Sequence, residues 1–348
     1  MGYAKEKQKV ERKKKKIKRI IALILVVLVA ILLVFEHYYP AETWKYYFKL
    51  PNVGKRAAGE TRIHFVDVGQ GDCTIIELPD GKTMMIDGGD DSEATEKNVL
   101  RYLNALKVNT IDYMVLTHAD ADHCGGLVSV FEYKTVKEVF LPIADPMSDN
   151  DYARFYTAML KEGCSYGFAY STDEFTEGVK ERNYLSNFTG AYPYTLSFIY
   201  PQRADVDNGL GNIDDDQNDR SVTVWLDYMG TSALFAGDLS AEKEEFLCAA
   251  DKNGKWFEQY GVALSSTEIL KVSHHGSKYS TSSSFIEYLN LQTAVISCGV
   301  NNEYGHPATD TILRLMSAGT EIYRTDQQGS IILTLKQDGT YTKRALGK

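Results

Sequence analysis

Two imidazoles and two carboxylates fall within six consecutive residues, His118-Ala119-Asp120-Ala121-Asp122-His123. Imidazole and carboxylate together are the donors that zinc, iron and manganese take. The hexad follows Ile111 to Leu116, a mostly apolar run that reads as a buried strand, and Gly125-Gly126 closes the turn behind it. Of seven histidines, two are here, two are His274-His275 and one is His306 in a third polar loop. That density is too high for a solvated loop with chance histidines. His64 and His37 read as structural or interfacial. Ala236-Gly237-Asp238 closes a strand before a helix, which favours a ligand reading of Asp238 over a hairpin cap.

The elements that must carry these groups follow from periodicity. The folded domain begins at Thr61, whose alternation to Val68 reads as a strand. Strands are predicted at Cys73 to Leu78, Thr83 to Ile86, Val136 to Leu141, Thr195 to Tyr200, Ser221 to Tyr228, Ser232 to Phe235, Ile269 to Ser273 and Thr293 to Ser297. A closing pair covers Gly329 to Lys336 and Thr340 to Arg344. Helices are predicted at Ser92 to Lys107, Asp151 to Lys161, Ala241 to Ala250, Ser283 to Leu289 and Thr311 to Ser317, with Val99, Leu100, Leu103 and Leu106 on one face of the first. Residues 144–190 look like an insertion, and Asp205 to Asp219 is an Asp-rich solvated loop. Strands alternate with helices without a repeat, and the ligand candidates fall just after strands, where layered α/β folds place their sites.

The N-terminus is a separate matter. Residues 1–19 hold ten Lys or Arg against Glu6 and Glu11, a local +8; the whole chain is at −9, so the rest carries −17. Ile20 to Phe35 then runs without a charged or polar side chain. At about 1.5 Å per residue it falls short of a hydrocarbon core of about 30 Å, a gap that Lys18, Arg19, Tyr38 and Tyr39 close from the interfaces. The predicted order is a basic cytoplasmic tail (1–19), a transmembrane anchor (20–39), a linker (40–60) and a hydrolase domain (61–348). Lysines before the span put the N-terminus in the cytoplasm and the domain outside, a single-pass cell-membrane protein. A cleaved signal peptide is the competing reading, against which stands the bulky Phe35-Glu36-His37-Tyr38-Tyr39. The five scattered cysteines form no disulfide framework.

Six motifs occur in order: Asp67-Val68-Gly69-Gln70-Gly71-Asp72, Ile86-Asp87-Gly88-Gly89, the hexad, Ala236-Gly237-Asp238, Lys271-Val272-Ser273-His274-His275-Gly276-Ser277 and Tyr304-Gly305-His306-Pro307. Over about residues 61–345 the chain resembles the metallo-β-lactamase superfamily, and within it the hydrolase domain of ComEC-type DNA-uptake proteins. The resemblance implies an α/β fold, an αββα sandwich, with one or two divalent ions, Zn or Mn, along one edge. It implies His118 and Asp120 in one metal site, Asp122 and His123 in a second, and Asp238 bridging or flanking. The usual superfamily residue at the third hexad position is His, and the harder Asp120 makes Mn²⁺ a rival to Zn²⁺. One of His274 and His275 binds metal; the residues do not say which. Asn218 and Ser221 match the subfamily's Asn-x-x-Ser, where other branches supply a further His. Asp122 and His306 are the catalytic candidates; Asp67, Asp72 and Asp87 are expected to orient ligands, meet substrate or cap turns.

Two ions about 3.5–4 Å apart activate a water for attack on an electrophilic centre. The resemblance points to DNA or another phosphodiester as substrate, cut outside the membrane, with a separate channel protein as partner because one span cannot form a channel. The −17 body argues otherwise, since nucleic-acid binders usually present a basic face. A small or cell-envelope ester or lactone is therefore the alternative, and a non-catalytic binding module a third. Lys271, Lys278, Arg220 and Arg324 are the candidates to line a local basic cleft.

Overall fold

The computed structural model describes residues 2–38, 40–144, 149–170, 191–202, 216–254 and 261–348. Residues 145–148 and 171–190 of the expected insertion, and 205–215 of the Asp-rich loop, lie outside them. The chain divides into two compact units, Met1–Lys49 and Leu50–Lys348.

In the first unit, α1 (Gly2–Tyr38) joins the basic tail and the apolar run into one helix. Its apolar part has a mean hydropathy of 3.0 over 18 residues and buries none of it, so by length and composition it is able to cross a membrane.

The second unit is built on two sheets. The first takes the order β14-β13-β1-β2-β3-β4-β5-β6, from β1 (Thr61–Phe65), β2 (Thr74–Glu77), β3 (Thr83–Ile86), β4 (Thr110–Val115), β5 (Thr135–Leu141), β6 (Ser165–Phe168), β13 (Ile331–Leu335) and β14 (Tyr341–Ala345). The second takes β12-β11-β10-β9-β8-β7, from β7 (Tyr194–Tyr200), β8 (Thr223–Tyr228), β9 (Thr231–Phe235), β10 (Ile269–Lys271), β11 (Thr293–Ile296) and β12 (Glu321–Arg324). Their inner faces share one apolar core. Phe65 packs on Phe235 at 6.2 Å between ring centroids and Phe140 on Phe198 at 4.7 Å, each pair joining the two sheets.

The outer faces are covered by helices. On the first sheet lie α2 (Glu93–Leu106), α3 (Ala121–Cys124), α4 (Leu127–Tyr133) and α5 (Asn150–Glu162). The α2 helix starts at Ser92, whose hydroxyl accepts from Thr95 N, and stops at Lys107 in the left-handed region, φ 61°. On the second sheet, α6 (Ala241–Lys252) and α7 (Ser283–Tyr288) bury Leu247 and Phe285 against Leu234 and Leu270. There α8 (Thr309–Ser317) buries Leu315 beside Ala294 and Ile296.

Two expectations change. The first strand ends at Phe65 and buries all five residues instead of alternating. Its outer face is covered too: His64 Nδ1 meets the Tyr102 hydroxyl of α2 at 3.0 Å, its Nε2 meets Glu77 at 2.9 Å, and Arg62 Nε donates to Glu77 at 2.6 Å. A paired charge network, not a solvent face, occupies the polar positions. The compact unit also starts at Leu50, within the stretch read as linker. Val53 is buried and its carbonyl accepts from Arg62 Nη1 at 2.9 Å, while the Tyr228 hydroxyl donates to Gly59 O.

Register places the site. Ile86 of β3 pairs with Val115 of β4 in parallel, and Phe235 of β9 with Lys271 of β10. Parallel neighbours end together, so the segments after all four strands emerge on one edge of the sandwich.

Candidate metal centre

The backbone is bent sharply where it enters this edge. Asp87 has φ 58°, His274 φ 48° and His275 φ 52°, all in the left-handed region that costs a side chain of their size energy. Gly71, φ 125°, lies so close to the hexad that a Cβ there would stand 2.4 Å from Asp122 O. Asp72 N donates to that same carbonyl at 3.1 Å, and Gly88 N to His123 O at 2.8 Å. The Gly-rich motifs therefore serve as spacers that let three loops pack on the hexad.

Three histidines are oriented in the same way. His123 Nδ1 donates to Asp87 Oδ2 at 2.9 Å. Asp87 also accepts Thr117 N at 2.8 Å and the Thr117 hydroxyl at 2.7 Å. That hydroxyl has spent its proton on Asp87, so at 3.0 Å it accepts from His118 Nδ1. His275 Nδ1 donates to Ser297 O at 2.9 Å. Each ring thus donates through Nδ1 and turns Nε2 inward, an acceptor whenever the ring is neutral. All three Nε2 atoms are buried without a hydrogen bond, as is Asp238 Oδ1. Orphaned acceptors cost about 1–3 kcal/mol each, unless an ion fills the space between them.

The distances suit an ion. His123 Nε2 is 3.4 Å from Asp238 Oδ1; His275 Nε2 is 3.3 Å from Asp238 Oδ2 and 3.2 Å from Asp122 Oδ2. Two donors on a tetrahedral ion at about 2.0–2.1 Å stand roughly 3.3 Å apart. The ligand atoms of His118, His123 and Asp238 lie within 4.8 Å of one another, as do those of Asp122, His123 and His275, and of Asp72, Asp238 and His275. The residues fit one or two divalent ions, and Asp238 belongs to two of these groups.

Electrostatics agrees with that donor set. Burial would raise the Asp238 carboxyl, but His275, His123 and Lys271 hold it well below the usual carboxylate range. Burial likewise opposes the ionised Asp122, and His275 and His123 prevail, so its pKa falls. For His123, burial lowers the pKa and the Asp238 and Asp87 carboxylates outweigh it, raising it well above the ordinary value. His275 is raised in the same way by Asp238 and Asp72.

Other candidates separate. His274 Nε2 stands 3.7 Å from Asp238 Oδ2, and its ring is half-buried and 5.3 Å from that of His306. It borders the donor cluster, and His275 is the one whose Nε2 points into it. Asp120 is half-buried at the rim, 3.6 Å from His118 Nε2, and joins none of the close triads among the described residues. His306 is tied by Asn302, whose Oδ1 accepts from His306 N at 2.9 Å. Ser221 Oγ accepts from Asp238 N at 3.0 Å and so fixes the backbone that carries this carboxylate. Asn218 lies in a short 3₁₀ turn, Gln217–Arg220, its Oδ1 buried without a hydrogen bond. Asp67 is apart from the cluster: its carboxylate accepts from Gly69 N at 3.4 Å and pairs with Lys348 at 2.5 Å.

Sequence reasoning passed over Thr117, which links Asp87 to His118, and misplaced Lys271. That lysine lines no cleft. It is buried, ion-paired to Asp72, 3.6 Å from Asp238, and donates to Gly237 O at 3.0 Å. Arg324, the second cleft candidate, is paired with Asp326. A lysine ending an apolar strand, three residues before His274, was the available signal that a buried anion needed it.

The profile of the Metallo-beta-lactamase superfamily matches residues 66–300, more than half of the chain. The chain belongs to the metallo-beta-lactamase superfamily. Its curated relatives include ComE operon protein 3 of Bacillus subtilis, 28% identical over 79% of this chain and 33% of that protein. Competence protein ComA of Neisseria gonorrhoeae is 26% identical over 82% of this chain and 34% of its own length. Recombination protein 2 of Haemophilus influenzae is 24% identical over 82% and 30%. The chain thus spans about a third of the curated relatives it matches. Among solved structures, a diphosphatase from the PhnP family covers 83% of this chain and 100% of its own, at 13% identity and a TM-score of 0.40; at that level the likeness says nothing of substrate. In this metallo-beta-lactamase superfamily member the sandwich, the edge site and the acidic third hexad residue are now all in place.

Proposed function

We propose that the chain is a membrane-anchored, metal-dependent phosphodiesterase that cuts a nucleic-acid strand on the extracytoplasmic side, with α1 as its anchor. What carries the hydrolase reading is the convergence of three inward-facing Nε2 atoms, each backed by a bonded Nδ1, on the Asp238 carboxylate. The substrate rests on the relatives, two named for competence and one for recombination. As the partner that passes DNA through the membrane we propose a separate channel protein.

His118, His123, His275, Asp122 and Asp238 would hold the ion or ions, zinc or manganese, with Asp120 at the rim beside His118. A divalent ion there acidifies water toward a pKa of about 7 and offsets charge on phosphoryl oxygens. The protein's own groups do the rest. Asp87 and Thr117 lock two imidazoles into the ligating tautomer. Asp122, ionised and partly open to solvent, accepts a hydrogen bond from the attacking water and aims it. Burial and the neighbouring His275 and His274 push the His306 pKa down to about 4, so it is neutral at pH 7. It serves by donating one N–H to a substrate oxygen, not as a cationic acid.

The test uses the full chain in detergent, with single-stranded DNA, duplex DNA and RNA, each with Mn²⁺, Zn²⁺ or Mg²⁺. Cleavage should fall at least about 100-fold in Asp122→Asn at unchanged fold; full activity in that variant sinks the assignment. The −17 body favours a second reading, hydrolysis of a small ester or lactone. Metal bound with no strand cleaved, but lactone turned over, selects it.

A further inference from the structure

The loop between β11 and α8 presents two large side chains to solvent. Tyr304 is 71% exposed and Val300 60%. Yet the loop is held rigidly. Asn302 Nδ2 donates to Gly299 O at 2.9 Å and to His306 O at 2.5 Å, and its Oδ1 takes His306 N. One end is moored to the Gly-rich motif by Gly299 N donating to Gln70 Oε1 at 3.2 Å. The other is moored to the ligand segment by Ala308 N donating to Gly276 O at 2.8 Å. An exposed aromatic on a braced loop beside a reaction centre is poised to meet a ligand.

Its orientation says what kind. The Tyr304 ring lies 24° from the plane of His306 at 5.9 Å between centroids, and His306 lies 31° from His275 at 6.1 Å. Tyr304 thus stacks on His306, which leans at a tilt toward His275 of the donor cluster, and the rings step inward from solvent. A further flat ring continues such a series by offset stacking, whereas an alkyl ester or a puckered lactone does not. Residues 299–307 contain no Lys or Arg, so their hold on substrate is not ionic. Base stacking is sequence-tolerant, since every base has a π-face, and it adds to binding without a charge on the loop.

We infer that Tyr304 is a stacking platform for one nucleobase next to the scissile phosphate, which makes the substrate a base-bearing nucleotide diester. This rests on the phosphodiesterase reading above. The experiment uses the full chain with Mn²⁺ and two single-stranded DNA oligomers of equal length. One bears bases; the other replaces them with abasic tetrahydrofuran sugars at the same phosphates. The wild type should favour the base-bearing strand in kcat/KM. Tyr304→Ala should lower kcat/KM on that strand roughly 5- to 100-fold and leave the abasic strand unchanged, and Tyr304→Phe should restore the preference. Equal cleavage of both strands by the wild type, or an equal loss on both in Tyr304→Ala, overturns the stacking role and leaves the phosphodiesterase standing. Cleavage of neither strand by metal-loaded wild type overturns both.

Discussion

Asp87 stands at the Nδ1 side of His123, and three hydrogen bonds depend on it, one of them holding His123 in its ligating tautomer. Asp87→Ala should weaken divalent-metal binding about 10- to 100-fold, measured by chelator competition. Protons compete for the same nitrogens. His123 and His275 have pKa values raised above 6.5 in the metal-free site, so they stabilise that state fully below pH 6.5 and progressively less as pH climbs through their higher values. Metal needs those rings neutral, and its affinity runs the opposite way. The difference in Tm between metal-loaded and chelator-treated protein should therefore widen as pH rises above 6.5; a gap that narrows would contradict the ligand set. The hexad was legible in the sequence because four donors of two types crowd one strand end. The choice between His274 and His275 was not, since it is made by two consecutive left-handed residues. Lys271 and Thr117 escaped for a related reason: their partners, Asp72 and Asp87, are distant in sequence and meet them only through strand register.

At the scale of elements, the segment after His275 is gripped from two sides. Glu244 of α6 accepts Thr281 N at 2.6 Å and Ser282 N at 2.9 Å, and Arg314 of α8 donates to Thr281 O at 2.9 Å and Ser280 O at 2.8 Å. The grip is needed because Thr281, β-branched, sits at φ 52°. Glu244→Ala leaves two buried N–H groups bare and should cost about 2–4 kcal/mol in denaturant unfolding. Burial, opposed by those two N–H bonds, already pushes the Glu244 carboxyl up to about 7. Most elements were readable, since α2 and α5 announce themselves by caps and a 3.6-residue period. The strand β6 was not: all four of its residues are exposed, so it has no apolar signature. The strand β12, Glu-Ile-Tyr-Arg, is a half-exposed edge whose pattern is no stronger than a loop's.

For the whole molecule, charge and fold pull against each other. A strand-cutting enzyme with six to ten ionic phosphate contacts loses about 10³–10⁵ in affinity between 50 and 200 mM salt. This chain, with its buried Lys271, its paired Arg324 and a body at −17, should lose less than about tenfold over that range in KM for single-stranded DNA. A steep salt slope would point to a basic surface supplied by a partner. The two-layer arrangement was foreseeable from alternating strands and helices, but the seating of residues 50–60 on the domain was not, because a few buried contacts from Val53 and Gly59 leave no periodic trace.

The pairing of β1 with β13 has a temporal side. Phe65 lies against Ile331, and β13 is the strand that covers the free edge of β1. At about 5–20 residues per second, a ribosome needs roughly 15–50 s to make the missing partner. Throughout that interval a strand that ends up wholly buried has one open, hydrogen-bonding edge. A chain folding as it is made would carry that edge bare until β13 arrives.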